Sequence, residues 1–285
     1  MSFVDTHVHL HFPDFQSDFD GVIKRAREAG VRFFINVGTD LKSSEQAIAL
    51  AERFEFVYAT VGIHPHDVKD ATPEAMRQLA VLAKHPKVVA IGEVGLDFYS
   101  PQSVGGIRPK TLCGQISPRF VADRNLSPGD VQRKILIQFF DMAKQANLPL
   151  VLHIREAYEV VIELLKKNFK PPIRAVSHCF SGTKEMMMEL LELGLFISFA
   201  GPVTYKKNDA LREAAHACPE DRIVIETDAP FLAPQAERGK RNEPAFMLET
   251  ARRIAKLRGV SLEQFGQMTL QNCEALFNRH FTDKK

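Results

Sequence analysis

The sequence lacks three features that would each assign it to a particular class of protein. No stretch approaches the roughly 20 consecutive apolar residues that a membrane-spanning helix needs. The first residues show no basic region followed by an apolar run, so we expect no signal peptide. The cysteines, Cys113, Cys179, Cys218 and Cys273, form no CxxC pair, which argues against a disulfide framework and a thiolate zinc site. We therefore expect a soluble protein of a reducing compartment, the cytoplasm, with no membrane partner.

A large excess of charge of one sign is also missing. The 37 Lys and Arg residues nearly balance the 35 Asp and Glu residues, which leaves a net charge of +2. This balance argues against a protein that coats DNA non-specifically, but it allows a local basic patch. With 285 residues, of which 45% are hydrophobic, the chain can form one large core. We expect a single domain over residues 1–285.

The most informative stretch is Phe3–His9, in which Val4, Thr6 and Val8 alternate with Asp5, His7 and His9. Side chains on a strand alternate between its two faces, so His7 and His9 point the same way. Two imidazoles on one face can hold a metal ion, although a core strand with two hydrogen-bonded histidines is an equal alternative from this motif alone.

Eight short β-rich runs alternate with longer segments of helical periodicity. The predicted strands are Phe3–His9, Val31–Val37, Phe56–Gly62, Val88–Glu93, Leu148–His153, Ile173–His178, Leu195–Phe199 and Ile223–Glu226. This pattern predicts a (β/α)8 TIM barrel, with a doubly wound open sheet as the alternative. The barrel is favoured because polar residues follow strands along the whole chain, whereas an open sheet would concentrate them at one switch point.

Histidines and carboxylates recur where these strands end. They lie in the segments His7–His9, His64–His66, Glu93–Asp97, His153–Arg155, His178–Gly182 and Glu226–Asp228. Residues at the carboxyl ends of barrel strands converge on one pocket. Buried charges are too costly to accumulate without a partner, so the convergence predicts a metal cluster.

Together these segments resemble the TatD-type metal-dependent deoxyribonucleases, a branch of the amidohydrolase barrel superfamily. The matching segments are Asp5–His9, Gly62–Pro65, Gly92–Asp97, Leu152–Ala157, His178–Gly182, Glu226–Pro230 and Arg241–Pro244. The resemblance spans almost the whole chain. Glu93 stands where many relatives in the wider superfamily carry a carbamylated lysine, which favours the TatD-like branch.

The resemblance implies a centre with two divalent metal ions, Mg²⁺ or Mn²⁺, with Zn²⁺ as a further candidate. The implied ligands are His7, His9, Glu93, His153, His178 and Asp228. Glu93 would bridge both ions, His7, His9 and Asp228 would hold the first, and His153 and His178 would hold the second. Mixed nitrogen and oxygen donors do not decide which metal is bound.

Three implied roles concern the reaction and its substrate. A metal-activated water would attack phosphorus, so Glu93 counts among the catalytic residues as the bridge and Asp228 as the acceptor of the water's proton. A pure ligand role for Asp228 is an equal alternative. His64 would donate to a phosphate oxygen or to the leaving group, with a structural hydrogen bond at the rim as the alternative. Arg155 and Arg241 would bind phosphate, although Arg155 could instead pack against the next helix.

Other residues near these positions receive weaker assignments. Asp5 and Glu226 are expected to orient imidazoles from behind. We interpret His66 as a solvated loop histidine. Strand alternation turns Cys179 away from the metals, so we interpret it as a small buried hydrophobe.

An insertion after the fourth strand, at about residues 100–128, departs from the family pattern. It is rich in proline and glycine, and it carries Arg108, Lys110, Arg119 and Arg124 against one acid, Asp123. It could grip a single strand of nucleic acid by charge and stacking, or it could shield the pocket or contact a partner protein.

Three functions are compatible with these observations. The first is a phosphodiesterase that acts on DNA, a 3′-to-5′ exonuclease on single strands, with the direction implied only by the resemblance. The second is an amide or ester hydrolase of the amidohydrolase type that acts on a small molecule. The third is a non-catalytic partner in a nucleic-acid-processing assembly, which the full ligand set disfavours.

Overall fold

The computed structural model describes residues 2–99 and 127–282. Its strands are β1 (Phe3–Val8), β2 (Val31–Val37), β3 (Val57–Val61), β4 (Val88–Asp97), β5 (Leu150–Arg155), β6 (Ala175–Ser177), β7 (Phe196–Phe199) and β8 (Ile223–Ile225). They form one sheet in sequence order, and each pair of neighbours is parallel.

The sheet closes between β1 and the residues that follow β8. Val8 and Ala229 form a parallel bridge, the His9 N–H donates to the Ala229 carbonyl over 2.9 Å, and the Asp228 N–H donates to the His7 carbonyl over 2.9 Å. The predicted (β/α)8 barrel is confirmed. A doubly wound sheet is excluded because the strand order never reverses.

Helices connect the strands and cover the outside of the barrel. Those described are α1 (Pro13–Gln16), α2 (Phe19–Glu28), α3 (Leu41–Arg53), α4 (Pro73–Leu82), α5 (Pro128–Ala146), α6 (Tyr158–Asn168), α7 (Lys184–Glu192), α8 (Asp209–Ala217), α9 (Met247–Arg258) and α10 (Leu262–Phe277). Ser127 and Ser261 cap α5 and α10 in capping boxes, because each hydroxyl accepts from the third helical N–H. Gly30 begins the turn into β2 at φ +90°, where glycine costs least.

The fourth strand is longer than predicted and ends at Asp97 rather than at Glu93. Leu96 and Asp97 pair with Ile154 and Arg155 of β5. The two glycines that flank Glu93 mask the strand pattern in the sequence. The extension has a functional consequence, because it brings Asp97 to the carboxyl end of the barrel beside β5.

The core occupies two regions. A large apolar cluster lies between the strands and the surrounding helices, which explains why the strands are buried on both faces. A second cluster joins strand side chains near their amino ends, such as Val4 and Val89, to Phe277 and Phe281 at the end of α10. The amino end of the barrel is therefore filled by apolar packing, and the polar side chains gather at the carboxyl end.

The predicted insertion at residues 100–128 lies outside the described residues, except for Ser127 and Pro128, which begin α5. In the described ranges, no helix combines the length and apolar character that crossing a membrane requires.

Candidate metal centre

The barrel brings all six predicted ligands together at its carboxyl end. They come from β1, β4, β5 and the residues just after β6 and β8. Together with His64, which was not predicted as a ligand, their donor atoms form three groups in which every atom lies within 4.8 Å of the others: His7, His9 and Glu93; His7, His178 and Asp228; and His64, Glu93 and His153. Residues up to 221 positions apart in the sequence, such as His7 and Asp228, thus form one cluster.

Glu93 lies at the centre of this cluster, and its two oxygens face different histidines. Its Oε2 atom is 3.3 Å from His7 Nε2. Its Oε1 atom is 2.8 Å from both His153 Nδ1 and His178 Nε2. On the side of β1, Asp228 Oδ1 lies 3.5 Å from His9 Nε2 and 3.7 Å from His7 Nε2. One carboxylate therefore stands between two sets of donors.

Three of the histidines are held from behind by hydrogen-bond acceptors. His9 Nδ1 donates to the Val37 carbonyl over 3.0 Å. His178 Nδ1 donates to Glu226 Oε1 over 3.1 Å, and His153 Nε2 donates to Asp97 Oδ2 over 3.2 Å. When each ring is neutral, the outer acceptor holds the proton on the outer nitrogen, which leaves the inner nitrogen free to bind a metal ion. This is the arrangement of metal-binding imidazoles.

His7 provides the test of whether these residues fit a metal ion. Its side chain is fully buried and stacks on His178 with ring centroids 4.0 Å apart. Its Nδ1 atom has no hydrogen-bond partner, and its Nε2 atom, although 3.3 Å from Glu93 Oε2, makes no well-formed hydrogen bond, which is costly for a buried polar group. Donor atoms bound about 2.0–2.2 Å from one ion lie roughly 3–3.5 Å from each other, close to the spacings seen around Glu93. The donor set therefore fits a divalent metal.

In the cluster, the surrounding groups favour an ionised Glu93 and a protonated His178. Burial disfavours the Glu93 carboxylate, but the neighbouring imidazoles, above all His178, outweigh it and hold the pKa of Glu93 well below its usual range. Burial likewise disfavours a charged His178, yet Glu93 and Glu226 raise the pKa of His178 well above its usual range. A buried carboxylate that stays ionised is the form in which Glu93 can bind a cation.

The backbone is strained next to several of these residues. Asp228, Cys179 and Leu232 adopt positive φ angles of +56°, +42° and +55°, a region that non-glycine residues rarely occupy. In the described chain all three follow β6 or β8 at the carboxyl end of the barrel. Strain of this kind clusters at functional sites, where the surrounding structure maintains it.

Asp97 is the residue that the sequence interpretation missed. Its side chain is only 1% exposed, and its Oδ2 atom accepts from His153 and also lies 2.9 Å from His66 Nε2. Its Oδ1 atom accepts from the Tyr99 N–H over 2.9 Å. The interpretation of His66 as a solvated histidine is thus wrong, because His66 contacts a buried carboxylate. The presence of an aspartate at the end of Gly92–Asp97 was the available signal.

Asp5 and Glu226 were both expected to orient an imidazole ring, and only Glu226 does so. Glu226 does hold His178, and its other oxygen accepts from Ser198 over 2.6 Å. Asp5 instead accepts from the Thr227 N–H and hydroxyl and from the His7 N–H. It therefore fixes the backbone where β1 meets the end of β8, rather than an imidazole ring. Burial raises the pKa of Asp5 to about 7, although its hydrogen bonds to Thr227 act in the opposite direction.

Cys179 is partly exposed rather than buried as expected. Its N–H donates to Glu226 Oε1 over 2.7 Å, and its positive φ breaks the strand alternation on which the expectation rested.

His64 lies at the edge of the cluster, just after β3. Its Nδ1 atom accepts the N–H of His66 over 3.2 Å, so the ring proton of the neutral form is on Nε2. That atom is 3.4 Å from His153 Nδ1 and 3.6 Å from Glu93 Oε1. Burial lowers the pKa of His64 well below its usual range. His64 therefore points into the cluster as a neutral side chain.

The two predicted phosphate-binding arginines have unequal surroundings. Arg155 is exposed at the rim, stacks 3.8 Å above the Tyr99 ring, and lies 3.9 Å from Asp97 Oδ2. Arg241 donates to the Asp14 carbonyl over 2.6 Å and lies 3.5 Å from Glu243 and 3.6 Å from Asp18. Arg155 is available to a ligand, whereas the described contacts of Arg241 tie it to α1 and the start of α2.

A parallel eight-stranded barrel with a buried histidine–carboxylate cluster at the carboxyl ends of its strands defines a metal-dependent hydrolase with an amidohydrolase-like fold. The family model described as "TatD related DNase" matches residues 4–278. The chain belongs to this TatD family.

Individual relatives agree with this assignment. The chain is 35% identical over 273 residues to the uncharacterized metal-dependent hydrolase YabD of Bacillus subtilis, covering 96% of this chain and 98% of that one. It is 35% identical over 280 residues to a protein of Erwinia tasmaniensis named 3′-5′ ssDNA/RNA exonuclease TatD, covering 96% and 99% of the two chains. The crystal structure of YJJV, a TatD homolog from Escherichia coli, superposes with a TM-score of 0.84 at 28% identity, covering 97% and 98%.

Proposed function

We propose that this protein hydrolyses phosphodiester bonds of single-stranded DNA, removing nucleotides from the 3′ end, with the help of two divalent metal ions. The observation that carries the proposal is the position of Glu93, whose Oε2 faces His7 and whose Oε1 faces His153 and His178. A carboxylate with one oxygen toward each of two donor sets is suited to bridge two ions.

The surrounding residues supply the remaining ligands. His7, His9 and Asp228 would hold one ion on the side of β1, and His153 and His178 would hold the other on the side of β5 and β6. Two ions held in this way would activate a water molecule and neutralise the charge that develops on the phosphate oxygens. Mg²⁺, Mn²⁺ and Zn²⁺ are the candidates, since the donor set mixes imidazole and carboxylate.

Asp228 is the proposed acceptor for the proton of the attacking water. Its side chain is 13% exposed, compared with 5% for Glu93 and 1% for Glu226. It is thus the most accessible of these three carboxylates. A general base must lie within hydrogen-bond reach of the proton that it removes, and the exposure of Asp228 beside His7 and His9 supports this role.

His64 and Arg155 are the proposed contacts to the substrate. The Nε2–H of His64 is directed into the cluster because its Nδ1 is occupied by the His66 N–H, so it can donate to a phosphate oxygen. Arg155 presents a guanidinium at the rim, stacked on Tyr99, and can bind phosphate in a bidentate manner. Arg241 would take part only if it released its contacts to Asp14.

The choice of nucleic acid as substrate is supported by the relatives that are named ssDNA/RNA exonucleases. These relatives are 35% identical to this chain, which supports the class of substrate rather than the preference of this protein. The basic residues of the 100–128 insertion remain candidates for holding the strand, or for contacting a partner protein.

The direction and strand preference can be tested with end-labelled oligonucleotides. A 5′-labelled single strand should be shortened in one-nucleotide steps, and the same strand with a 3′-terminal phosphorothioate linkage should resist. A blunt duplex should be cut more slowly, and an RNA strand of the same sequence would define the sugar preference. Shortening that starts at the 5′ end would overturn the proposed direction, and cleavage of small amides or esters but not of any oligonucleotide would overturn the substrate class.

A further inference from the structure

An apolar wall adjoins the cluster on the side of β1. It consists of Phe12, Phe231 and Leu232, which we call the aromatic wall. The Phe12 ring stacks on the ring of His9 with centroids 4.7 Å apart and an interplanar angle of 24°. Phe231 meets both of these rings at 6.0 Å, with steep angles of 65° and 79°. The wall is therefore one ring away from the proposed position of the first metal.

The wall is partly open to solvent. Phe12 and Phe231 are partly exposed, and Leu232, the next residue, is 39% exposed. In residues 2–99 and 127–282, the other large hydrophobic side chains with high exposure are Val81 and Met188, which lie on helices. Single exposed apolar residues are common on protein surfaces. Two partly exposed rings that pack on the candidate ligand His9, followed in the chain by an exposed leucine, form a surface suited to a ligand.

The segment that carries the wall is held firmly in place. Asn242 Nδ2 donates to the Thr227 and Phe231 carbonyls over 2.9 Å and 2.6 Å, and the Phe231 N–H donates to the Asp228 carbonyl over 2.8 Å. Leu232 has a φ of +55°, which is unfavourable for a branched side chain. A strained, clamped backbone that exposes an apolar side chain beside the cluster is the pattern of a preorganised binding surface.

We infer that the aromatic wall binds the base of the nucleotide that flanks the scissile phosphate on the side of His9. This inference rests on the proposed function, because it assigns a subsite within that site. The aromatic wall forms the rim of the cluster on the side of His9, so a nucleoside attached there to a phosphate bound at the cluster would meet these rings. Stacking on an aromatic face accepts every base, as an exonuclease of mixed sequences requires.

Two chromogenic substrates separate base binding from chemistry. Thymidine 5′-(p-nitrophenyl phosphate) and methyl p-nitrophenyl phosphate share the leaving group, and they differ in having a nucleoside or a methyl group. Stacking of one base contributes a roughly five- to hundredfold gain in affinity. Phe231→Ala and Leu232→Asn should therefore lower the ratio of kcat/KM for the two substrates by about tenfold. Asparagine is chosen at 232 because it tolerates a positive φ.

Met188→Ala is the matched control, since it removes an exposed apolar side chain from α7, and it should leave the ratio unchanged. A loss of activity that is equal for both substrates in Phe231→Ala and Leu232→Asn would show that the wall only supports His9, and would overturn the inference. Failure of the wild-type protein to cleave either substrate would instead count against the proposed function.

A binding measurement keeps the inference testable in that case. With a chelator present to prevent turnover, the affinities for a short oligonucleotide with a 3′-terminal thymidine and for one with a 3′-terminal abasic unit are compared. The wild-type protein should prefer the base-bearing strand by at least about fivefold, and Phe231→Ala should lose that preference. If the ratio of the two affinities is the same in the wild type and in Phe231→Ala, the inference is overturned.

Discussion

Asp97 offers the sharpest test of how the cluster is maintained. The Asp97→Asn substitution keeps the size of the side chain and an oxygen that can accept the Tyr99 N–H. It removes the charge that faces His153 Nε2 at 3.2 Å and His66 Nε2 at 2.9 Å. A carboxylate then no longer fixes the His153 proton on Nε2. As a result, His153 Nδ1 becomes a weaker metal ligand.

The expected magnitude follows from comparable carboxylate–histidine pairs. Removing the partner of a metal-binding imidazole typically weakens metal affinity by about 10- to 100-fold, which corresponds to roughly 1.4–2.7 kcal/mol. We expect a loss in this range for one of two ions, with the affinity for the other nearly unchanged. Titration of metal-stripped protein against a chromophoric chelator measures both steps.

Asp141→Asn is the matched control, because Asp141 pairs with Lys144 on the surface of α5 and should not affect metal affinity. If Asp97→Asn also binds both ions within twofold of the wild-type affinities, Asp97 does not act through His153 and the reasoning is refuted.

The same residue predicts a dependence of stability on pH. Although burial opposes it, the hydrogen bonds from His153 and His66 hold the pKa of Asp97 below its ordinary value of 3.8. A depressed pKa in the folded state means that the carboxylate stabilises the fold above about pH 4, and that this contribution is lost as the pH falls. In urea unfolding of metal-free protein, the difference between wild type and Asp97→Asn should shrink from pH 6 to pH 3. A difference that stays constant or grows would contradict this assignment.

Three further substitutions probe other parts of the account. Glu93→Ala should abolish hydrolysis and weaken both metal-binding steps, since one carboxylate serves both donor sets; loss of a single step in the same titration would disprove the bridge. His64→Ala should lower kcat by about 10²- to 10⁴-fold while metal content stays near the wild-type value, and an equal loss of metal would make His64 a ligand. Replacing residues 100–126 with a short Gly-Ser linker, which leaves the Ser127 cap of α5 intact, should raise KM for DNA, and unchanged kinetics would remove that segment from substrate binding.

Much of the fold could be predicted because the residue pattern of nearly every strand and helix was consistent with the (β/α)8 barrel. Alternating apolar runs and amphipathic segments predicted eight units, and the observed caps of α4 and α5, Thr72 and Ser127, agree with that prediction. The exception is β4, whose glycines on both sides of Glu93 hid its last residues. Pairing with β5 extends that strand, because Leu96 and Asp97 each pair with a residue 58 positions further along the chain. Such long-range pairing leaves no trace in local periodicity.

The sequence indicated which side chains gather at the candidate site. It did not indicate all the hydrogen bonds that hold those side chains in place. Histidines and carboxylates at strand ends converge in any closed barrel, which predicted a cluster. The assignment of His7, His9 and Glu93 as ligands rested on the resemblance to the TatD-type enzymes. The pairing of His66 with Asp97 depends on how the turn after β3 approaches the end of β4, which no spacing encodes. Cys179 differs from expectation for a similar reason, because its backbone leaves the strand geometry directly after His178.

The central claim is metal-dependent hydrolysis of a phosphodiester strand by the cluster around Glu93 and Asp228. The most direct measurement adds Mg²⁺, Mn²⁺ or Zn²⁺ to metal-stripped protein and follows an end-labelled single strand, with Asp228→Asn beside the wild type. We predict stepwise shortening by the wild type with at least one of these metals, none with chelator, and a loss of at least about 10²-fold in the variant. Shortening that survives the chelator, or that proceeds equally in Asp228→Asn, would contradict the account.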